Sequence, residues 1–228
     1  MLVLGIETAT PRGSVALVDA TGLRAESRSD TQQGHSRTLM PRLEALLRDC
    51  GLDFSDLQGL AVSIGPGSFT GLRVGLSAAK GLAIARDLPL CGVPTLDALA
   101  RGLDDTEGTV WALLDARRGQ VYVARFVGNE RVEGPLAIDP GALAGRLADE
   151  GGRPLLLGSG ATLYLEVLEQ SLGERARFAP SERDLPRAAA VARLGRERLL
   201  AGQTDDPAAL EPLYVRGADV RRPATPPG

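Results

Sequence analysis

Gly65-Pro66-Gly67-Ser68-Phe69-Thr70-Gly71 has the composition of a loop that could receive an anion. The apolar run Leu60 to Ile64 leads into it as a buried strand, and Ser68 or Thr70 is placed to cap the helix that follows. Strand, glycine turn and helix together aim backbone N–H groups at a phosphate. Two common loops of this kind are excluded. A P-loop needs Gly-Lys-Ser/Thr where Gly71 is followed by Leu72, and the dinucleotide fingerprint needs a third glycine where Thr70 stands. The helix behind the turn carries Gly75 and Gly81 in its interior, each costing about 1 kcal/mol relative to alanine. Gly71, Gly75, Ala78, Ala79 and Leu82 fall on one side of it, almost bare of large side chains. Such a face packs closely either on its own sheet or on a partner helix. Arg73 and Lys80 interrupt the apolar run, so the helix is not a membrane span.

Other chemistry is scarce. The chain has one histidine, His35, and two cysteines, Cys50 and Cys91, with no Cys or His near either. Cys50 falls at a helix end and Cys91 in an apolar strand, both read as small buried residues. With a single imidazole available, a Ser–His pair is not expected among the many hydroxyls. Glu7, at the end of the first strand, either orders a hydrated magnesium or hydrogen-bonds its own turn, and the turn is the expectation. Asp115 occupies the matching position in the second half of the chain. Arg117 and Arg118 follow it, filling a turn where small residues would let phosphate approach the backbone, although either arginine could hold phosphate by charge.

These residues are positioned by a pattern that occurs twice. Strands are expected at Leu2–Glu7, Ser14–Asp19 and Leu23–Arg28, then a helix from the capping residue Ser36 to about Cys50, with Leu39, Leu43, Leu46 and Leu47 on one face and Pro41 as an obstacle. Strand Leu60–Ile64, helix Thr70–Arg86, strand Leu90–Val93 and helix Thr95–Arg101 complete a βββαβαβα order. The polar, acidic stretch Gly102–Gly108 is the expected boundary. The order then restarts with strands Val110–Asp115, Gln120–Val127 and Arg131–Leu136 and a helix opened by Asp139 and Pro140. Strand Pro154–Leu157, the turn Gly158-Ser159-Gly160-Ala161, helix Thr162–Leu172, strand Arg177-Phe178 and helix Pro186–Leu200 follow. The expected organisation is one subdomain over 1–105, a second over 106–217 whose last helix could pack on the first, and a disordered, proline-rich tail over 218–228.

At 228 residues and 43% hydrophobic the chain can bury an ample core. A net charge of -3 argues against a broad nucleic-acid-binding surface. Lys80 is the only lysine. The first residues run straight into an apolar strand with no basic leader, and no stretch approaches ~20 apolar residues, so a soluble cytoplasmic protein is expected.

Two successive βββαβαβα units match the order of the actin-like ATPase (ribonuclease H-like) α/β fold. Ile6-Glu7-Thr8-Ala9-Thr10, the Gly65–Ala83 stretch, Asp115–Tyr122, Gly158–Ala161 and Pro212-Leu213-Tyr214-Val215-Arg216 resemble, in order and over nearly the whole chain, the bacterial TsaB (YeaZ) family. That resemblance implies a part in placing threonylcarbamoyl on N6 of the adenosine beside the tRNA anticodon. It implies a catalytic paralogue, TsaD, an ATPase, TsaE, as a third component, and homodimers formed through the same helices. The paralogue holds its metal with histidines, two of them four residues apart on a helix, and one histidine cannot reproduce that site. A non-catalytic scaffold is therefore expected, with Ser36, Leu39, Leu43 and Leu46 of the first long helix and Gly71, Leu72, Val74, Gly75, Ala78, Ala79 and Leu82 of the second as its partner surface. A weak or vestigial nucleotide site is expected at Glu7, Thr8, Ala9, Thr10, Gly65, Gly67, Ser68, Gly158 and Gly160, with ATP or ADP as the cofactor left open, no metal, and tRNA contacted only indirectly. The rival is an independent nucleotide-dependent kinase or hydrolase of the same fold. Nothing in these residues supports a protease.

Overall fold

The computed structural model describes residues 1–29, 34–103 and 108–215. The expected tail, and part of the expected boundary, lie outside the described residues. The first half forms a five-stranded sheet in the order β3-β2-β1-β4-β5. Its strands are β1 (Val3–Glu7), β2 (Ser14–Asp19), β3 (Gly22–Arg28), β4 (Gly59–Gly65) and β5 (Leu90–Pro94). The second half repeats it as β10-β9-β6-β7-β8, from β6 (Thr109–Asp115), β7 (Val121–Val127), β8 (Glu130–Ile138), β9 (Leu155–Leu157) and β10 (Arg177–Phe178). In each sheet the first three strands pair antiparallel and the last two join parallel. The duplication read in the sequence is thus a duplication of topology.

Helices cover both faces, as a parallel core demands. α1 (His35–Asp49) and α2 (Phe69–Arg86) lie on one face of the first sheet, where Leu39, Leu43, Leu46 and Leu47 join Leu4, Ile6, Leu60 and Val62 in one core. α4 (Pro140–Glu150), α5 (Ser159–Leu163) and α6 (Leu165–Leu172) take the corresponding face of the second sheet around Trp111, Leu113, Leu143 and Leu168. The remaining helices are exchanged. α3 (Thr95–Ala100) follows the first sheet but packs Leu96 and Leu99 against Val110, Ala112 and Leu157 of the second. α7 (Ala188–Leu200) follows the second sheet but packs Ala190, Val191 and Leu199 against Val3, Ala61 and Cys91 of the first. Small residues set that contact. A side chain on Gly5 would meet Ala188 O at 2.4 Å, and one on Gly195 would meet Ala61 Cβ at 2.3 Å.

Local signals behave as their chemistry dictates. Ser68 caps α2 by accepting from Gly71 N at 3.2 Å, and Asp139 caps α4 by accepting from Gly141 N and Ala142 N, with Pro140 at the first position. Three expectations are corrected. Ser36 is not the cap of α1: that place is held by Gly34, without a side-chain bond, and Ser36 lies inside the first turn. Pro41 does not stop α1, which runs through it. The helix expected over Thr162–Leu172 is two, because Tyr164, at φ −113°, interrupts it.

Candidate functional site

A cleft of about 610 Å³ opens between the halves. The β1–β2 turn supplies Ala9, Thr10 and Arg12, the glycine turn supplies Gly67, Ser68 and Phe69, and the β6–β7 turn supplies Asp115 and Arg117. Ser159 at the start of α5 and Tyr122 on β7 complete the wall. The β6–β7 turn is conformationally unusual. Arg117 and Arg118 take left-handed backbone at φ 61° and 54°, ahead of Gly119 at 72°. Each non-glycine residue there costs on the order of 1 kcal/mol. Asp115 supports the turn, its Oδ1 accepting from Arg117 N at 2.8 Å and its Oδ2 lying 3.3 Å from Arg117 Nη1. The cleft therefore presents guanidiniums where a phosphate-binding hairpin presents bare backbone.

The glycines expected to serve a nucleotide are used within the chain. A side chain on Gly67 would strike Ala9 O at 2.4 Å, one on Gly65 would strike Leu213 O at 2.6 Å, and one on Gly158 would strike Leu113 O at 2.2 Å. Gly160 is pressed against Leu113 and Val121. Of the expected nucleotide residues, Ala9, Thr10, Gly67 and Ser68 line the cleft; Glu7, Thr8, Gly65, Gly158 and Gly160 do not, because they are buried beneath its walls.

Glu7 is fully buried. Its Oε1 accepts from Ala9 N at 2.6 Å, the expected turn hydrogen bond, while Oε2 has no partner among the described residues. Burial pushes its carboxyl up from an ordinary 4.5 to about 7, against the lowering effect of hydrogen bonds from Ser63 and the backbone at Ala9 and Thr10. Beside it lies a void of about 10 Å³, on the order of one water, walled by Ser14, His35 and Thr38 among others. His35 bridges the helix to the cleft hairpin: its Nε2 lies 2.8 Å from Thr10 O, and since a carbonyl only accepts, Nε2 carries the proton. Among the described residues no group of three or more His, Cys, Asp or Glu could hold a metal. Cys91 is buried and its thiol is pushed up to about 11, which leaves it inert as a nucleophile at neutral pH.

A second hollow, of about 510 Å³, runs between α1 and α2 on the outer layer. Ser36, Leu39, Val74 and Ala78 from the expected partner surface line it, and Leu82 is half-buried further along α2. The rest of that surface needs correction. Leu43, Leu46, Gly71, Leu72, Gly75 and Ala79 are buried in the chain's own core. The bare face of α2 admits Thr8: side chains on Gly71 and Gly75 would meet Thr8 O at 2.0 Å and Thr8 Oγ1 at 2.1 Å, and Thr8 Oγ1 donates to Gly71 O at 2.8 Å. Close approach is made, but within one chain. The groove gains Met40, Phe69, Thr70, Arg73 and Ser77, which sequence reasoning missed because single exposed residues carry no periodic signal. Phe69 and Thr70 line both hollows, so cleft and groove share a wall.

The C-terminal segment reaches this wall. Asp205 N donates to Leu90 O at 2.8 Å, Leu213 N donates to Ile64 O at 2.6 Å, and the Tyr214 ring stacks on Phe69 with centroids 5.5 Å apart. Arg73 covers Phe69, its Cζ 3.9 Å from the ring centroid, and its Nε donates to Tyr214 Oη at 3.3 Å.

A duplicated five-stranded α/β unit, with exchanged final helices and a cleft bounded by both first hairpins, defines the actin-like ATPase class of folds. A ROK hexokinase from Thermus thermophilus has this fold at TM-score 0.53 and 14% identity, covering 86% of this chain and 99% of its own. YeaZ from Pseudomonas aeruginosa is more similar, at TM-score 0.79 and 25% identity over 93% of this chain and 99% of its own. The family model described as TsaD, tRNA N6-adenosine threonylcarbamoyltransferase, matches residues 28–153. The tRNA threonylcarbamoyladenosine biosynthesis protein TsaB of Bacillus subtilis is 31% identical over 223 residues, 96% of either chain. The chain belongs to the TsaB (YeaZ) family.

Proposed function

We propose that the protein is a non-catalytic subunit in the biosynthesis of threonylcarbamoyladenosine in tRNA, docking through α1 and α2 on the catalytic paralogue TsaD. The observation that carries the docking face is the open groove of about 510 Å³ between these helices, with Met40 and Phe69 exposed at 36% and 44% in the single chain. Exposed apolar groups framing a groove between helices are characteristic of an interface. The pathway rests on the relatives, which carry the name of tRNA threonylcarbamoyladenosine biosynthesis proteins. The non-catalytic role is supported by residue chemistry: the single histidine is engaged with Thr10 O, and Cys91 is buried as a neutral thiol. In this reading TsaE acts as a third component in the cytoplasm, a homodimer uses the same groove when the paralogue is absent, and tRNA is met through the paralogue. Reconstitution tests it: TsaD, TsaE, tRNA, ATP and a pre-formed activated threonylcarbamoyl donor give modified adenosine only with this chain present, and Met40→Glu abolishes both co-purification with TsaD and product. Unchanged product without the chain refutes the proposal.

A second reading, an independent nucleotide-dependent enzyme, is favoured by the cleft of about 610 Å³, which lies in the range of small-molecule sites. Tight binding of ATP and magnesium by the isolated chain in isothermal titration would support it.

A further inference from the structure

Behind the β1–β2 hairpin, on the side away from the α1–α2 groove, lies a third hollow of about 260 Å³. It is walled by Arg12, Arg28 and Arg187, with Ser181 and the carboxylate residue Glu182 also in its lining. We propose that this hollow is a phosphate-binding site, taking one phosphate group of a ligand whose remainder lies in the adjoining cleft.

The donors are available. Arg12 is exposed; its backbone O accepts from Thr10 Oγ1 at 3.0 Å, and its guanidinium, with five N–H donors, has no hydrogen-bond or ion-pair partner among the described residues. Among the described residues the Arg28 guanidinium engages only its Nε, with Glu26 Oε2 at 3.1 Å, leaving both terminal nitrogens. Arg187 gives Nε and Nη2 to the same Glu26 oxygen and keeps Nη1. The Glu26 carboxylate, 4% exposed, stands behind the hollow and is shared by Arg28 and Arg187, which fixes both side chains but neutralises only one of them. Even with Glu182 in the lining, cationic groups outnumber anionic ones. Fixed forks with free N–H groups suit a planar or tetrahedral oxyanion.

Size and continuity define the ligand. The volume is far above the roughly 10–15 Å³ that holds one water, and a little below the roughly 300 Å³ at which sites for whole small molecules begin. It therefore has ample room for a phosphate group and the atoms next to it. Arg12 and Leu185 line both this hollow and the cleft, so the two adjoin at these residues. The shared chemistry is a phosphate carried by a larger body, supplied either by a nucleotide or by an RNA backbone.

The test is isothermal titration of the full chain with inorganic phosphate, ATP and a short RNA hairpin. The proteins compared are wild type, Arg12→Ala, Arg28→Ala and, as a control on α1, Arg48→Ala. Inorganic phosphate is expected to bind wild type saturably and to lose about tenfold in affinity in Arg12→Ala and Arg28→Ala, the loss of one charge-assisted hydrogen bond. Arg48→Ala should match wild type. Arg12→Ala, having no partner to lose, keeps the test decisive if Arg28→Ala lowers stability. ATP weakened in parallel with phosphate identifies a nucleotide as the source, and RNA weakened while ATP is unchanged identifies the backbone. Absence of saturable phosphate binding, or an equal loss in Arg48→Ala, overturns the proposal. Co-purification with TsaD is independent of these variants and reports separately on the docking face.

Discussion

Glu7→Gln is expected to make the protein more stable, and increasingly so as pH rises. The carboxyl is fully buried, Oε2 is unpartnered, and burial raises it from 4.5 to about 7. A carboxyl whose folded pKa is raised binds more protons folded than unfolded between those values, so stability falls as pH climbs through that window. The full shift corresponds to about 3 kcal/mol, of which about 2.5 kcal/mol develops between pH 5 and pH 8. At 2–4 °C per kcal/mol for a chain of this size, the wild type should melt roughly 5–10 °C lower at pH 8 than Glu7 alone would allow at pH 5. Glutamine keeps an oxygen to accept from Ala9 N at 2.6 Å and removes the charge. Urea unfolding of both proteins at pH 5, 6, 7 and 8 isolates the effect, because every other titrating group is common to both. The stability difference should grow from under about 1 kcal/mol to about 3 kcal/mol in favour of the variant. A difference that stays flat across this range would refute the assignment of a buried, proton-binding carboxyl.

Gly75→Leu should destabilise the monomer by on the order of 3 kcal/mol, because its Cβ alone would lie 2.1 Å from Thr8 Oγ1; a thermal melt indistinguishable from wild type would contradict this packing. Met40→Glu combined with Ser77→Arg changes only side chains exposed in the groove, so sedimentation should show loss of self-association while the melting temperature stays within about 2 °C. Glu26→Gln removes a carboxylate that accepts from Arg187 and from Ala189 N at 3.1 Å and so anchors the start of α7. Arg187 and that backbone N–H hold the Glu26 carboxyl below its ordinary value despite burial, so its stabilisation is present at neutral pH and lost as pH falls through the acid range. The variant should cost about 1–3 kcal/mol at pH 7, and the gap should close in acid; an acid-independent gap would show the contact to be steric.

Much of the fold is legible because its signals are local. Ser68, Asp139 and Pro140 sit where capping chemistry requires, and the strand order follows from short apolar runs between turn residues. The site is less legible because closeness in sequence pattern does not say what is close. Gly71 and Gly75 announce a backbone or side chain pressed against α2, and only the fold reveals that it is Thr8 of the same chain. The sequence allows the last helix to pack on the first half, and only the fold shows its seat, with Ala188 and Ala192 against Gly5 and Gly195 against Ala61. Arg12, Met40 and Phe69 gain meaning only from the hollows they border, and no spacing rule joins residues on separate turns and helices.

The exchange of α3 and α7 has a consequence for how the molecule comes apart. Each sheet borrows the cover of one face from chain that belongs to the other, so separating the halves strips Val3, Ala61 and Cys91 on one side and Val110, Ala112 and Leu157 on the other. Fragments cut at the boundary would each expose a raw apolar face and find their missing lid only on the other fragment. The two lobes are therefore cooperative in unfolding and complementary in reassembly, like a clasp whose tongue and buckle are each made from the opposite strap.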